Sequence, residues 1–232
     1  PAFLILLPVA LVIKQPDLGT AVMIALSGLV IFFIAGVRIW KFILLFLGGI
    51  ALVPIIWQSL LDYQKKRILT FLSPETDPLG AGYHLMQSKI ALGSGGLYGK
   101  GFIQGSQSHL NFLPEIQTDF IFTMLAEEFG LLGGLVVLFL FFLISSYGLI
   151  LSFFMVNKFA RLLTIGMTTT LFFYVFINTG MVMGLLPIVG VPLPFISYGG
   201  SALLTSMTAI GLIISCNVHR DVIISRFSDE ET

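Results

Sequence analysis

Three carboxylates of the segment LPEIQTDFIFTMLAEEFG, residues 113–130, lie where its polar first part leads into a long apolar run or within that run. Asp119 stands at the boundary, and Glu127 and Glu128 lie further inside the apolar part. An ionisable side chain within a membrane span is costly and marks a functional or an ion-paired position. The pattern therefore predicts that at least one glutamate is structurally paired with another helix.

Asp119 has the position of a helix-terminal acid. Pro114 breaks the chain before it, and Thr118 is a good N-cap residue, so we predict that Asp119 lies in the first helical turn. The positive end of the helix dipole favours the ionised carboxylate there. Position alone is equally consistent with a helix-capping acid and with a functional acid such as a general base.

The two glutamates do not fit one cavity together with Asp119. On a continuous helix Glu127 would lie about 12 Å along the axis and about 80° around from Asp119. Glu128 would project from nearly the opposite side. We therefore assign Glu127 and Glu128 to packing and pairing rather than to proton transfer.

The composition is that of an integral membrane protein. Hydrophobic residues make up 56% of the chain and charged residues 10%, whereas a soluble domain has about 25% charged residues. The formal net charge is zero, so nothing favours a nucleic-acid partner. The single cysteine, Cys216, excludes an internal disulfide.

Six apolar runs predict an all-α polytopic fold with one integral membrane domain over residues 1–232. A spanning helix needs about 20 mostly apolar residues. The chain opens without Met inside an apolar run, so we expect it to be the C-terminal part of a longer protein. The predicted spans are 1–13, 20–37, 42–57, 120–156, 162–184 and 201–218.

Basic residues in the short connections predict the orientation. Lys and Arg accumulate on the cytoplasmic side of a membrane protein. If the spans alternate, three basic connections share that side, and residues 58–118 lie on the extracytoplasmic side. The basic residues are Arg38, Lys41, Lys158, Arg161, Arg220 and Arg226.

The connection 58–118 is too long to be a simple linker. Apolar residues such as Tyr83 and Leu85 recur along it and indicate an ordered loop. Within it, residues 79–91 have the pattern of a short amphipathic helix at the membrane interface. The basic run at 65–67 suits anionic lipid headgroups, and a solvated charge run is the equal alternative.

The glycine-rich stretch ALGSGGLYGKGF, residues 91–102, resembles a phosphate cradle but fails the nucleotide fingerprint. A P-loop needs Gly where Ser94 stands and Ser or Thr where Gly101 stands. Backbone amides together with Lys100 would suit a phosphate. A tight irregular loop explains the glycines equally well.

The proline-rich stretch LLPIVGVPLPFISYGG, residues 185–200, predicts irregular backbone between two spans. Such backbone is tolerated near a membrane where it is buried in protein or lines a cavity, and transporters build substrate sites from it. Asp17, in KQPDLGT, is a second acid at the same end of the spans, and helix capping after Pro16 would explain it.

Several motifs together resemble the SEDS family (shape, elongation, division and sporulation proteins), most closely its rod-shape members. They occur in the family's order through nearly the whole chain. The family has ten spans, so the resemblance implies that this chain corresponds to spans five to ten. The motifs are QPDLGTA, SPETDPLGAGYHLMQSKIALGSGGLYGKGF, FLPEIQTDFIF followed by AEEFG, and GVPLPFISYGGSALL.

The resemblance implies a peptidoglycan glycosyltransferase of the bacterial cytoplasmic membrane. Such an enzyme polymerises lipid II on the outer leaflet during cell elongation, beside a class B penicillin-binding protein that acts as transpeptidase. The family's essential aspartate lies in the TDF segment, which corresponds to Asp119. Candidate residues for binding the substrate and its pyrophosphate are Lys89, Lys100, Arg67, Ser197 and Tyr198.

The sequence is compatible with two ways of stabilising the pyrophosphate and with an alternative function. The pyrophosphate charge requires either a divalent cation, Mg²⁺ or Mn²⁺, or Lys and Arg side chains. A lipid II flippase or another transporter of lipid-linked substrates is the alternative function, because the architecture and the proline-rich segment also suit transport. A scaffold without activity would leave Asp119 unexplained.

Overall fold

The computed structural model of the protein describes residues 2–15, 17–60, 62–77, 80–106 and 117–222. All regular elements in these ranges are helical, as predicted. In chain order they are α1 (Ala2–Lys14), α2 (Leu18–Ile34), α3 (Ile39–Ser59), α4 (Asp62–Leu72), a 3₁₀ turn (Pro74–Thr76), α5 (Ala81–Ser94), α6 (Ile121–Phe153), α7 (Lys158–Val182) and α8 (Gly200–Val218).

Apolar helices occur at all six predicted places. Three of them, α6, α7 and α8, are long and apolar enough to cross a membrane. The apolar stretches of α1, α2 and α3 are shorter, at Ala2–Lys14, Leu18–Ile34 and Ile39–Pro54. The chain is therefore an all-helical multi-pass membrane protein, and it exposes most of its large hydrophobic side chains on the outside of the helices.

Helix α7 is the central element. It contacts α2, α6 and α8, and it contains several buried polar residues, including Thr164, Thr168 and Asn178. Helix α3 lies apart, because its described side chains are exposed apart from Phe42, which meets Phe33 of α2 edge to face. The other helices pack around α7, whereas α3 packs against them very little.

Helices α2 and α7 run antiparallel. A Cβ at Gly19, at the start of α2, would overlap the carbonyl oxygen of Val189, which follows α7. Near the other ends, a Cβ at Gly166 would lie 3.0 Å from the side chain of Ile31. The end of α2 and the start of α7 therefore lie at the same end of the bundle.

The long connection forms a small helical layer at the opposite end. Helices α4 and α5 and the 3₁₀ turn pack together, and α5 packs along α6. The helix predicted at 79–91 is confirmed as α5, with its start and end shifted by two and three residues. Its buried face consists of Gly82, Leu85, Ser88 and Ala91.

One span differs from its prediction. The run 120–156 was expected to form a continuous helix, but Gly130 has φ 69° and ψ −166°, which interrupts α6 and separates residues 121–129 from 131–153. Only glycine adopts this backbone conformation readily. Three residues used in the predictions, Pro16, Pro114 and Arg226, lie outside the described residues.

We predict that the helical layer faces the outside of the cell. Arg38 and Lys41 lie at the end of the bundle opposite that layer. The backbone N–H of Val156 donates to the carbonyl of Arg220 at 3.3 Å, so the basic connection after α6 contacts the basic segment after α8. Retention of Lys and Arg in the cytoplasm would fix this orientation.

Single-cysteine labelling in a full-length Cys216→Ala background tests the orientation. Tyr98→Cys should react with an impermeant maleimide in intact spheroplasts, because Tyr98 is exposed in the outer layer. Phe159→Cys, at the exposed start of α7, should react only after permeabilisation. The reverse pattern would invert the topology.

Candidate active site

Asp119 lies in a turn before α6 rather than inside the helix. Helix α6 begins at Ile121, its N-cap is Phe120, and no side chain caps it. The prediction that Thr118 is the N-cap and that Asp119 occupies the first helical turn is therefore wrong. The physical reason is that side chains from distant segments bind the carbonyl groups of both residues.

Two distant side chains hold this turn by its backbone. The hydroxyl of Ser197 donates to the carbonyl of Thr118 at 2.5 Å, and the Nδ2 of Asn178 donates to the carbonyl of Asp119 at 2.8 Å. The backbone N–H of Tyr198 donates to the carbonyl of Gln117 at 2.7 Å. Three consecutive carbonyls are thus bound by α7 and by the segment that follows it.

Asn178 and Ser197 each join two parts of the site. Asn178 is fully buried and also donates from Nδ2 to the carbonyl of Val191 at 2.7 Å. Ser197 accepts a hydrogen bond from the N–H of Leu193 at 2.7 Å. Because buried polar groups are expensive to leave unpaired, these bonds fix residues 117–120 against the proline-rich segment 185–200.

The carboxylate of Asp119 faces the proline-rich segment. A Cβ at Gly190 would lie 3.3 Å from Oδ2 of Asp119, so a side chain there would crowd the acid. Asp17 approaches the other side of the segment through α2, where it caps the helix by accepting from the N–H of Thr20 at 3.0 Å. The proposed capping role of Asp17 is thus observed.

Two of the basic candidates reach the beginning of the same segment. A Cβ at Gly184 would lie 2.6 Å from Nζ of Lys89, so the ammonium group lies directly over the chain just after α7. Arg67 lines a small cleft with Leu85 and Ile188. The cation of Lys89 also stands at the negative end of the α7 dipole, which stabilises a positive charge.

Lys100 is not beside Asp119. Its Nζ forms an ion pair with Glu127 at 2.7 Å and donates to the hydroxyl of Ser106 at 2.8 Å. Glu127 has 0% of its side-chain surface exposed, whereas Lys100 has 27%. Glu127 is therefore paired with a residue of the glycine-rich loop, and Glu128 is buried at the adjacent position.

The glycine-rich loop fills the break in α6. Without the break, the N–H groups of Leu131 and Leu132 would bond to the carbonyls of Glu127 and Glu128. Instead these N–H groups donate to the carbonyls of Gly96 and Leu97, and the carbonyls accept from the N–H groups of Lys100 and Gly101. The four distances are 2.9, 3.2, 3.1 and 3.0 Å.

This arrangement accounts for the glycines in the loop. A Cβ at Gly95 would overlap the carbonyl oxygen of Ala126, and a Cβ at Gly99, which has φ 80°, would overlap that of Glu128. The N–H groups of Lys100 and Gly101 are bonded to α6, which leaves them unavailable to a phosphate. The glycine-rich stretch is a tight structural loop.

No protein-held metal site is evident among the described side chains. No three His, Cys, Asp or Glu residues in the described ranges lie together as metal ligands, so these residues alone do not fit a caged Mg²⁺ or Mn²⁺ ion. His84 lies in α5. Burial lowers the pKa of its imidazole, and the nearby Asp77 carboxylate partly opposes that shift.

Two clefts flank the proline-rich segment. One, of about 580 Å³, is lined by Gln117, Ser197 and Tyr198, and Tyr198 is 77% exposed there. The other, of about 510 Å³, runs between α7 and α8 past Tyr174 and Ser201. Both volumes fall in the range of small-molecule sites, about 300–1,000 Å³, so the turn carrying Asp119 lies beside space for a substrate.

Sequence analysis missed Asn178. It lies in the run FINTG within an apolar helix, and a polar side chain in a span normally bonds within the protein or serves a function. That signal was present but did not indicate which residue Asn178 would bind. Its partner Asp119 is 59 positions away along the chain.

The fold and the site define a polytopic membrane protein with an acid held at one end of its helical bundle. The sequence profile of the FtsW/RodA/SpoVE family, described as cell cycle protein, matches residues 1–222. The chain belongs to this family, as the motif resemblance indicated.

Named relatives extend the comparison. The chain is 50% identical over 227 residues to peptidoglycan glycosyltransferase MrdB of Escherichia coli K12, which covers 95% of this chain and 60% of MrdB. It is 39% identical over 211 residues to stage V sporulation protein E of Bacillus subtilis, with coverages of 90% and 56%. The chain thus spans about 60% of the length of MrdB.

Two solved structures share the fold. A chain from the study "Structural coordination of polymerization and crosslinking by a peptidoglycan synthase complex" superposes with a TM-score of 0.77 at 32% identity, covering 95% of this chain and 61% of that one. An aspartate-to-alanine mutant of Thermus thermophilus rod shape determining protein RodA superposes with a TM-score of 0.64 at 27% identity, with coverages of 96% and 57%.

The contact between the glycine-rich loop and α6 predicts that any side chain at Gly95 will destabilise the fold. Gly95→Ala should lower Tm by several degrees, because overpacking costs about 1–3 kcal/mol and the new methyl would meet the Ala126 carbonyl. Thermal unfolding in detergent measures this.

Gly93→Ala is the matched control. Gly93 lies in α5, two residues before Gly95, and a Cβ there would meet no atom within 4 Å. It should leave Tm unchanged or raise it, because Ala is favoured over Gly in a helix by about 1 kcal/mol. Equal Tm values for the two variants would contradict the described contact.

Proposed function

We propose that the protein, at its full length, is a peptidoglycan glycosyltransferase that polymerises lipid II during cell elongation and releases undecaprenyl pyrophosphate. The observation that carries this proposal is the turn 117–120, whose carbonyls are bound by Asn178 and Ser197 so that Asp119 is held next to the cleft lined by Gln117. The names of the E. coli and other relatives support the same activity.

The reaction joins two lipid-linked disaccharides. The 4-hydroxyl oxygen of the acceptor GlcNAc attacks C1 of the donor MurNAc, and a new C–O bond forms there. The bond from C1 to the diphosphate oxygen breaks, and its electron pair leaves with undecaprenyl pyrophosphate. The proton of the attacking hydroxyl passes to the carboxylate of Asp119.

Asp119 acts as the general base in this scheme. A positioned base contributes about 10²–10⁴-fold to a rate, provided that it lies within hydrogen-bond reach of the proton it removes. The backbone bonds at 117–119 supply such positioning, because they hold the turn independently of the side chain at 119.

Lys89 and Arg67 suit the developing negative charge on the leaving diphosphate. Lys89 lies over Gly184 and Arg67 lies by Ile188, at the start of the segment whose Gly190 faces Asp119. Fixed cations at a leaving group stabilise charge that appears in the transition state. The hydroxyl of Ser197 holds the turn by its bond to the Thr118 carbonyl. Tyr198 is exposed and is available to a sugar in the cleft that it lines.

The proposed setting is the outer face of the bacterial cytoplasmic membrane, with a class B penicillin-binding protein as partner. A structural relative comes from a study of polymerisation and crosslinking by a peptidoglycan synthase complex, which supports such pairing. Membrane lipids surround the exposed apolar helices. A flippase is not favoured, because the named relatives are glycosyltransferases.

We predict that Asp119→Asn in the full-length protein lowers lipid II polymerisation at least about 10²-fold, the lower range for loss of a general base. The amide has nearly the same shape, and the bonds that hold the turn go to the backbone, so Tm and partner binding should be unchanged. A gel assay of glycan chains from purified lipid II measures the rate.

Two carboxylate variants serve as controls. Asp62→Asn removes an exposed acid of α4 and should keep full activity. Glu128→Gln alters a buried acid, so activity should fall only in step with the amount of folded protein. Wild-type polymerisation by Asp119→Asn would reduce Asp119 to a structural acid and would revive the transport hypothesis.

The partner gives a separate prediction. The full-length protein should co-purify with its class B penicillin-binding protein in mild detergent and should polymerise lipid II faster in the complex. Equal rates with and without the partner would argue against an activating complex while leaving the chemistry of Asp119 intact.

A further inference from the structure

Residues 121–129 form a separate helical piece between Asp119 and the break at Gly130. An unbroken helix would rigidly link Asp119 to the long span 131–153. Here the link is indirect, since the glycine-rich loop occupies the break and bonds to both sides of it. The orientation of 121–129 therefore depends on the loop.

The glycine-rich loop also forms an ion pair with the short helical piece. Glu127 projects from the short piece with 0% of its side chain exposed, and Lys100 binds it at 2.7 Å while also donating to Ser106. The hydroxyl of Ser106 adds a bond to the same carboxylate oxygen at 3.3 Å. A buried carboxylate is tolerated when paired and hydrogen-bonded in this way.

The ion pair lies at the far end of the piece, where backbone bonds also attach the helix to the glycine-rich loop. At the near end, Ser197 and Asn178 bind the backbone before the helix, and Thr123 bonds to Ser88 of α5 at 2.8 Å. At the far end, the carbonyls of Glu127 and Glu128 accept from the N–H groups of Lys100 and Gly101, and the carboxylate of Glu127 accepts from Lys100 and Ser106.

We infer that Lys100 and Glu127 are positioning residues for Asp119, with the glycine-rich loop acting as a clamp on residues 121–129. The inference rests on the proposed function in that the placement of Asp119 limits polymerisation. Lys100 thereby has a role other than binding pyrophosphate. Loosening the clamp tilts the short piece and moves the acid relative to the acceptor hydroxyl. The cleft between α7 and α8 has no lining residue in 117–129 and therefore keeps its shape.

The kinetic test separates positioning from substrate binding. In the full-length protein with its partner, Lys100→Met should lower kcat about 10-fold or more, because a misplacement of about 1 Å can cost about 10²-fold. KM for lipid II should stay near the wild-type value. Lys100→Arg, which keeps the charge, should restore most of kcat. A raised KM with unchanged kcat would assign Lys100 to substrate binding and overturn the inference.

A double variant separates positioning from folding. Replacing a buried ion pair by apolar residues is often neutral or stabilising, so Lys100→Met combined with Glu127→Met should keep Tm at or above that of Lys100→Met alone. We expect its kcat to remain low, since the directional bond is absent. A double variant with wild-type kcat would show that the ion pair does not position the acid.

Hydrogen exchange tests the clamp without any activity assay. Lys100→Met should speed amide exchange in residues 117–129 but not in 131–153, because local opening follows the cooperative unit that has lost contacts. Lys66→Met, which removes the exposed pair with Asp77, is the control and should alter neither segment. Uniform exchange changes along α6 would overturn the clamp. Failure of the Asp119 hypothesis would appear instead as an active Asp119→Asn with this exchange pattern intact.

Discussion

The break in α6 imposes the constraint on which the rest of the site depends. A helix interrupted at Gly130 leaves backbone donors and acceptors that water cannot satisfy within a membrane protein. The glycine-rich loop supplies all four partners, and it comes close enough because glycines replace larger residues at the contact. The helical layer is thereby joined to the span, which explains why α5 packs along α6.

A second consequence is the division of labour among polar residues. Asn178, Ser88 and Ser197 are neutral and bind backbone carbonyls, so they hold chain segments together without adding charge to the bundle. The buried charge of Glu127 is instead matched by a lysine from outside the apolar helices. This distribution is expected because burying an unpaired charge costs much more free energy than burying a hydrogen-bonded amide or hydroxyl group.

Much of the fold was predictable from the sequence because apolar runs report directly on spans. The six helices, and the short helix in the long connection, appear within a few residues of their predicted places. The turn at Thr118 was not predictable in the same way: local preference favours a cap there, but Ser197 and Asn178 bind its backbone from 79 and 59 positions away. The break at Gly130 was missed for the same reason, since its partners are about thirty residues earlier in the chain.

The glycine-rich stretch shows where a motif leaves two meanings open. Closely spaced glycines suit both a phosphate cradle and a close approach of two backbones, and only the destination of the amides distinguishes them. Here the amides of Lys100 and Gly101 bind α6. Lys100 likewise looked like an anion ligand, and its anion proved to be a carboxylate of the same chain.

Attachment of the Asp119 turn through main-chain carbonyls has an evolutionary consequence. Since Asn178 and Ser197 bind main-chain oxygen atoms, a substitution at residue 119 leaves both of these hydrogen-bond acceptors in place. Inheritance can therefore alter that side chain without loss of the folded shape. A mutation at this codon is therefore expected to change the chemistry of the site more than the backbone that carries it.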